Sequence, residues 1–255
     1  MGCALLGPGL AEARPIDGVW VTDLSSVRWM GRPETLTVSA TQFFHLSDRG
    51  GLTTLVDGAP HPLASGQGPG DSISAKVIGP GVVETTVYRG GRPVARTRWT
   101  LSPDAQTLTE SRYRLLPKGG EDLNFSVTFS RDGPAPPGDL PLSGTWRRQK
   151  LDRTESGFQL NRFRDLGDRL EWSNGAGMTY DAPFNGALAA QTNDPGHTQV
   201  SVRRLDDRHY VETDWRGGRK SDVFTMVISP DDVTLTTTDQ DLLTGEVIVQ
   251  TAHKQ

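Results

Sequence analysis

One passage of this chain is written twice. Val83-Glu84-Thr85, followed by Arg89-Gly90-Gly91-Arg92, returns as Val211-Glu212-Thr213 followed by Arg216-Gly217-Gly218-Arg219. Leu101-Ser-Pro-Asp-Ala-Gln-Thr-Leu-Thr109 returns as Ile228-Ser-Pro-Asp-Asp-Val-Thr-Leu-Thr236. Gly18-Val19-Trp20 returns as Gly144-Thr145-Trp146, Gly51-Leu-Thr-Thr54 as Gly177-Met-Thr-Tyr180, and Asp57-Gly58 as Asn185-Gly186. The matches keep one order and nearly one spacing: 83 to 211 is 128, 101 to 228 is 127, and 18 to 144 is 126. A unit of roughly 110–115 residues is the size of a small domain and too long for a solenoid repeat.

The expected organisation follows. Asp132-Gly-Pro-Ala-Pro-Pro-Gly-Asp139 reads as an extended, semi-rigid connection. Copy one then covers residues 16–131, the linker 132–142 and copy two 143–255. Residues 1–15 stand apart as a leader or the remnant of a signal peptide. Their apolar start ends in Ala11-Glu12-Ala13, the small-x-small pattern that signal peptidases cut, though no basic segment precedes it. This predicts an exported, periplasmic or secreted protein. Two other readings are a lipid-modified Cys3 and a plain flexible terminus.

Within each copy, period-two apolar runs bounded by turn residues recur every ~10–14 residues, as in an all-β sandwich or barrel. Eighteen such runs are predicted, from Val19–Leu24 to Leu123–Phe129 in copy one and from Thr145–Leu151 to Val247–Thr251 in copy two. No long apolar stripe of helical period appears, so very little helix is expected. The repeated motifs are turn chemistry. Gly-Gly supplies the positive φ of a two-residue hairpin loop. Ser-Pro-Asp opens a second turn, with Pro fixing φ and Asp bonding its own backbone. Many short strands joined by tight turns favour closed antiparallel up-and-down barrels, which leave no edge strand exposed.

Composition narrows the partners. With 27 Lys+Arg against 31 Asp+Glu the formal charge is −4, which gives no electrostatic case for nucleic acid or an anionic membrane. No apolar run approaches the ~18 residues of a membrane-spanning helix. A single Cys cannot form an internal disulfide.

Gly18-x-Trp20 and Gly144-x-Trp146 each open a first strand, and in this the chain resembles lipocalins. It is also similar to small bacterial lipocalin-like proteins. Those show an Asp-Gly turn, a charged strand with Gly-Gly, and a Ser-Pro-Asp-Gly turn before Thr-Leu-Thr. Here Asp57-Gly58, Arg89-Gly90-Gly91 and Ser102-Pro103-Asp104 answer that pattern, as do Asn185-Gly186, Arg216-Gly217-Gly218 and Ser229-Pro230-Asp231. The last turn residue departs from it, being Ala105 and Asp232. The resemblance, which spans nearly the whole chain, implies two tandem lipocalin-like (calycin-type) barrels and an apolar or amphipathic small-molecule ligand. It implies that Trp20 and Trp146 plug the closed barrel ends.

The catalytic inventory is thin. His45, His61, His197, His209 and His253 lack the close spacing of a zinc site, so no metal and no cofactor are expected. No serine-hydrolase motif appears. On the run 107–115, Glu110, Arg112 and Arg114 share one face. Either that face is solvated and ion-paired across strands, or Arg112 or Arg114 points inward to hold a ligand carboxylate. The latter resembles fatty-acid-binding barrels, which use an interior Arg near a Tyr such as Tyr113. Trp29, Trp99, Trp172, Tyr180 and Trp215 are the aromatics left to line a pocket or fill a core. If the Trp215 face of its strand is interior, His209 stands near a cavity mouth and could act as a general base. The ligand-site expectation is therefore Trp99, Arg112, Tyr113, Arg114, Tyr180 and Trp215, with His209 as the one catalytic candidate. The function expected is non-enzymatic ligand binding. A cyclase, isomerase or hydratase acting on a hydrophobic substrate is the alternative, and an interaction module with filled barrels is the second.

Overall fold

The computed structural model describes residues 13–47, 50–63, 70–134, 139–194 and 196–255. Most of the leader, with Cys3, and the centre of the Pro/Gly segment lie outside them. The protein is all-β. In chain order the strands are β1 (Gly18–Met30), β2 (Glu34–Val38), β3 (Gln42–Ser47), β4 (Gly50–Leu55), β5 (His61–Pro62), β6 (Ser72–Gly79), β7 (Val82–Arg89), β8 (Arg92–Leu101), β9 (Thr107–Leu115) and β10 (Glu121–Arg131). They continue with β11 (Gly144–Arg153), β12 (Leu160–Asp165), β13 (Arg169–Asn174), β14 (Thr179–Pro183), β15 (Ala189–Ala190), β16 (Gln199–Arg204), β17 (His209–Arg216), β18 (Arg219–Ile228), β19 (Thr234–Asp241) and β20 (Val247–Lys254). Among the described residues the one α-helix is the single turn α1 (Ser156–Gln159). All eighteen predicted runs contain strand; β5 and β15, of two residues each, are additions too short to show a period.

The strands form two antiparallel sheets of ten. One, the N-sheet, runs β4-β3-β2-β11-β10-β9-β8-β7-β6-β5. The other, the C-sheet, runs β14-β13-β12-β1-β20-β19-β18-β17-β16-β15. The C-sheet nearly closes on itself, because Thr179 at the start of β14 bridges Thr192 just past β15. In the N-sheet the ends approach where Thr54 on β4 donates to the carbonyl of Ile73 on β6 at 3.5 Å.

The two sheets exchange first strands. β1 pairs with β12 and β20, and β11 pairs with β2 and β10. A sorting of strands by halves of the sequence therefore misplaces these two. The physical reason is that both strands present the same Gly-x-Trp face, so either sheet can accept either one. Trp20 is fully buried among Phe163, Leu170, Val200, Tyr210 and Ile228. Trp146 is buried among Leu36, Phe43, Val83, Leu108 and Phe129. Each indole N–H donates to the carbonyl four residues earlier, Trp20 to Ile16 at 2.8 Å and Trp146 to Leu142 at 3.0 Å. Each ring carries a cation from a neighbouring strand of its own sheet, Lys254 on β20 at 5.1 Å and Arg131 on β10 at 4.2 Å.

β1 runs six residues further than its predicted end at Leu24. Ser25 and Ser26 look like turn residues, and they do bond back to Asp23. They form a bulge, after which Arg28–Met30 resumes pairing with β20. Gly90 and Gly91 have φ of 56° and 74°, and Gly217 and Gly218 have 57° and 76°. Two successive positive φ values define a type I′ hairpin, whose twist matches that of its strands.

Candidate functional site

The N-sheet and the segment at residues 154–158 line an open cavity of about 850 Å³. Strand alternation decides what reaches it. On β8, Trp99 is buried and faces inward. On β9 its cross-strand partner is Glu110, and Thr97 and Ala95 pair with Arg112 and Arg114. Residues directly opposite share a face, so Glu110, Arg112 and Arg114 belong to the interior side. The face points inward at Glu110, while Arg112 and Arg114, 46% and 55% exposed, stand at the mouth and are ion-paired. The outward ion-paired face is that of β8, where Arg98 meets Glu84 at 2.9 Å and Arg96 meets Glu121 at 2.9 Å.

Phe43, Leu52, Ile73, Val87, Trp99 and Phe125 give the cavity apolar walls. Glu110 is only 2% exposed and pairs with the Nε of Arg112, whose guanidinium lies 4.7 Å over the Phe125 ring. Arg114 is more open, with Asp122 at 3.0 Å and Glu155 at 3.7 Å. Glu155 and Phe158, around α1, complete the rim. Tyr113 also borders the cavity, but it alternates away from Arg112 and its ring lies 5.6 Å beneath Arg98. The interior Arg–Tyr pairing therefore does not form.

Two residues absent from the expected set complete this wall. His45 on β3 lines the cavity with its ring 4.8 Å from that of Trp99, edge to face at 66°. Its Nε2 stands 2.7 Å from Oε2 of Glu34 on β2. Burial would raise the Glu34 carboxyl, but the His45 hydrogen bond and the charge of Arg148 hold it below its ordinary value. Arg148, on β11, reaches Oε1 of Glu34 at 2.5 Å and Oε1 of Glu246 at 2.7 Å. The pair was legible in principle. Alternation through the turn at 39–41 puts Glu34, Leu36 and Val38 on the same side as Phe43 and His45.

The remaining expected residues lie on the C-sheet. Tyr180 is buried and stacks on Trp172 with centroids 5.1 Å apart, beside a second cavity of about 830 Å³. Its hydroxyl donates to Glu212 at 2.6 Å. Burial, then the neighbouring Glu212 charge, raises the Tyr180 phenol well above its usual range. On β17 the interior face is that of Tyr210, Glu212 and Asp214, not that of Trp215. Trp215 is half-buried, donates to Ser201 at 3.3 Å and carries Lys220 at 5.3 Å. His209 is accordingly corrected: it sits at a hairpin turn, bonded to Asp206 at 2.8 Å, and lines neither cavity. Trp29, also on β1, packs against the N-sheet core.

Four carboxyls of the C-sheet, those of Glu212, Asp214, Asp222 and Asp239, repel one another. Burial, then the mutual repulsion of Glu212, Asp214 and Asp222, raises Asp214; burial also raises Glu212. Burial, then Asp222 and Asp214, pushes Asp239 up to about 7. Among the described residues no group of three or more His, Cys, Asp or Glu is arranged to hold a metal. No helix among them is long and apolar enough to cross a membrane.

No protein-family model, curated protein or solved structure matches the chain.

Proposed function

We propose that this is a tandem lipocalin-like protein that binds an amphipathic small molecule in the N-sheet cavity. One observation carries the reading: Arg112 and Arg114 stand on the interior face of β9, beside a cavity walled by Phe43, Leu52, Ile73, Val87 and Trp99. Ligand sites of this kind are mostly apolar with a few polar anchors. Arg112 uses Nε for Glu110, and its terminal nitrogens remain suited to a second anion because guanidinium has five donors. The apolar body of the ligand would lie against Trp99 and Phe43, with its carboxylate or similar head at Arg112 and Arg114. The like strand orders of the two sheets and the matched Trp20–Ile16 and Trp146–Leu142 bonds support the lipocalin-like tandem.

The test is binding of a fluorescent long-chain fatty acid to the full chain, followed through quenching of Trp99, together with native mass spectrometry for a co-purifying molecule. Arg112→Met or Arg114→Met is expected to weaken binding about 10-fold or more, the loss of a charge-assisted hydrogen bond. Unchanged affinity in both variants overturns the reading. Export belongs to the same proposal and rests on Ala11-Glu12-Ala13. Intact mass of the protein made from its native locus tests it, and a mature chain that keeps residues 1–13 removes it.

A further inference from the structure

We propose that His45 is a general base in the N-sheet cavity, so that the protein moves a proton on the molecule held there. The inference rests on the ligand-binding reading above and adds chemistry to it. Glu34 is 4% exposed, and its two oxygens are divided between His45 Nε2 at 2.7 Å and Arg148 at 2.5 Å. An ionised Glu34 accepts from Nε2–H and leaves the lone pair on Nδ1. This is the arrangement in which a carboxylate fixes the tautomer of an imidazole and stabilises its protonated form. Trp99 holds the ring from its edge. The charged groups around it are Glu34 from β2, Arg148 from β11, and Glu110 and Arg112 on β9 across Trp99.

The substrate class follows from these neighbours. It is an apolar molecule with an acidic C–H beside a carbonyl or comparable electron sink, and an anionic end for Arg112 or Arg114. The C–H bond breaks, its electron pair passes into the adjacent acceptor, and the proton goes to Nδ1 of His45. The imidazolium is balanced by Glu34. Return of the proton to another carbon of the same molecule completes an isomerisation, with no oxidant, reductant or co-reactant consumed.

The probe is 5-nitrobenzisoxazole, whose ring C–H is removed by a base as its N–O bond breaks, releasing a coloured phenolate. The full-length protein is expected to turn it over with saturation. His45→Gln should lower the rate about 10²- to 10⁴-fold, the usual contribution of a positioned base. His45→Ala should be rescued by added imidazole, which a merely structural histidine would not show. Glu34 is a positioning residue: Glu34→Gln should lower kcat at least about 10-fold and leave KM near that of the wild type. His209→Ala should change nothing. Fatty-acid binding is measured on every variant. Binding kept while turnover is lost supports the assignment. Equal turnover in wild type and His45→Gln, with binding intact, overturns the base and spares the binding site. Absence of fatty-acid binding and of turnover in the wild type overturns both.

Discussion

Trp20 and Lys254 are paired across neighbouring strands, with the ammonium 5.1 Å from the indole ring, although they lie in opposite halves of the chain. The pairing exists because β1 is a member of the C-sheet. Trp20→Ala should therefore loosen the sheet built from residues 160–254 and spare the one built from residues 34–131. Truncating a fully buried Trp costs about 3–5 kcal/mol. Hydrogen exchange read by mass spectrometry is expected to rise in β12, β17 and β20. Trp146→Ala should produce the converse pattern, with the rise in β2, β9 and β10. Exchange rising in the half that carries the mutated residue would remove the strand exchange.

Ala105 and Asp232, the two positions that depart from a Gly turn, both hold positive φ, 57° and 62°. Alanine gains nothing in the left-handed region and pays its Cβ strain, about 1 kcal/mol. Ala105→Gly should stabilise the protein by about that much in urea unfolding. Asp232→Gly should not, because Asp232 also holds Arg208. The two surrounding turns are otherwise alike: Ser102 accepts from the Thr107 N–H at 2.9 Å, and Ser229 from the Thr234 N–H at 3.0 Å.

Glu212, Asp214 and Asp239 titrate higher in the folded protein than in the unfolded chain, where carboxyls ionise near ~4. Well below that pH both states hold the protons, and the associated stability is fully present. Between pH ~4 and the raised values the folded state holds protons that the unfolded chain has shed, so stability falls as pH rises. The melting temperature should accordingly drop between pH 5 and pH 8. Asp214→Asn or Asp239→Asn should flatten that slope and raise the melting temperature at pH 8. A wild-type slope of opposite sign across this window would contradict the burial of the cluster.

Among the described residues Arg148 is the one arginine or lysine within ion-pair distance of Glu34, whose other oxygen meets the His45 ring. Arg148→Met leaves a buried carboxylate with its charge uncompensated, which costs about 3–5 kcal/mol. Chemical denaturation should show this loss at pH 7. It should shrink in the Glu34→Gln background, because there only the Glu246 carboxylate, 12% exposed, still loses Arg148. Additive losses would mean that the two side chains do not interact.

The alternation of apolar and polar residues was enough to place every strand of more than two residues, because a strand exposes its period directly. The turn chemistry was equally direct: Gly90-Gly91 and Gly217-Gly218 announce φ values that few other residues accept. Which face points inward was harder. On β9 the face of Glu110, Arg112 and Arg114 looks polar, yet Leu108 and Trp99 pull it inside. On β17 the eye goes to Trp215, while Tyr210 is the residue in the core. The bond between His45 and Glu34 depends on hairpin register, which single residue types do not reveal.

The sequence by itself determined a turn-dense antiparallel β protein, since period and turn residues are local to the chain. Tertiary structure alone decided which first strand completes which sheet, and which polar residues share a cavity. Two strands with the same Gly-x-Trp face are interchangeable to any local rule. Only the pairing of β1 with β12 and β20, and of β11 with β2 and β10, breaks that equivalence.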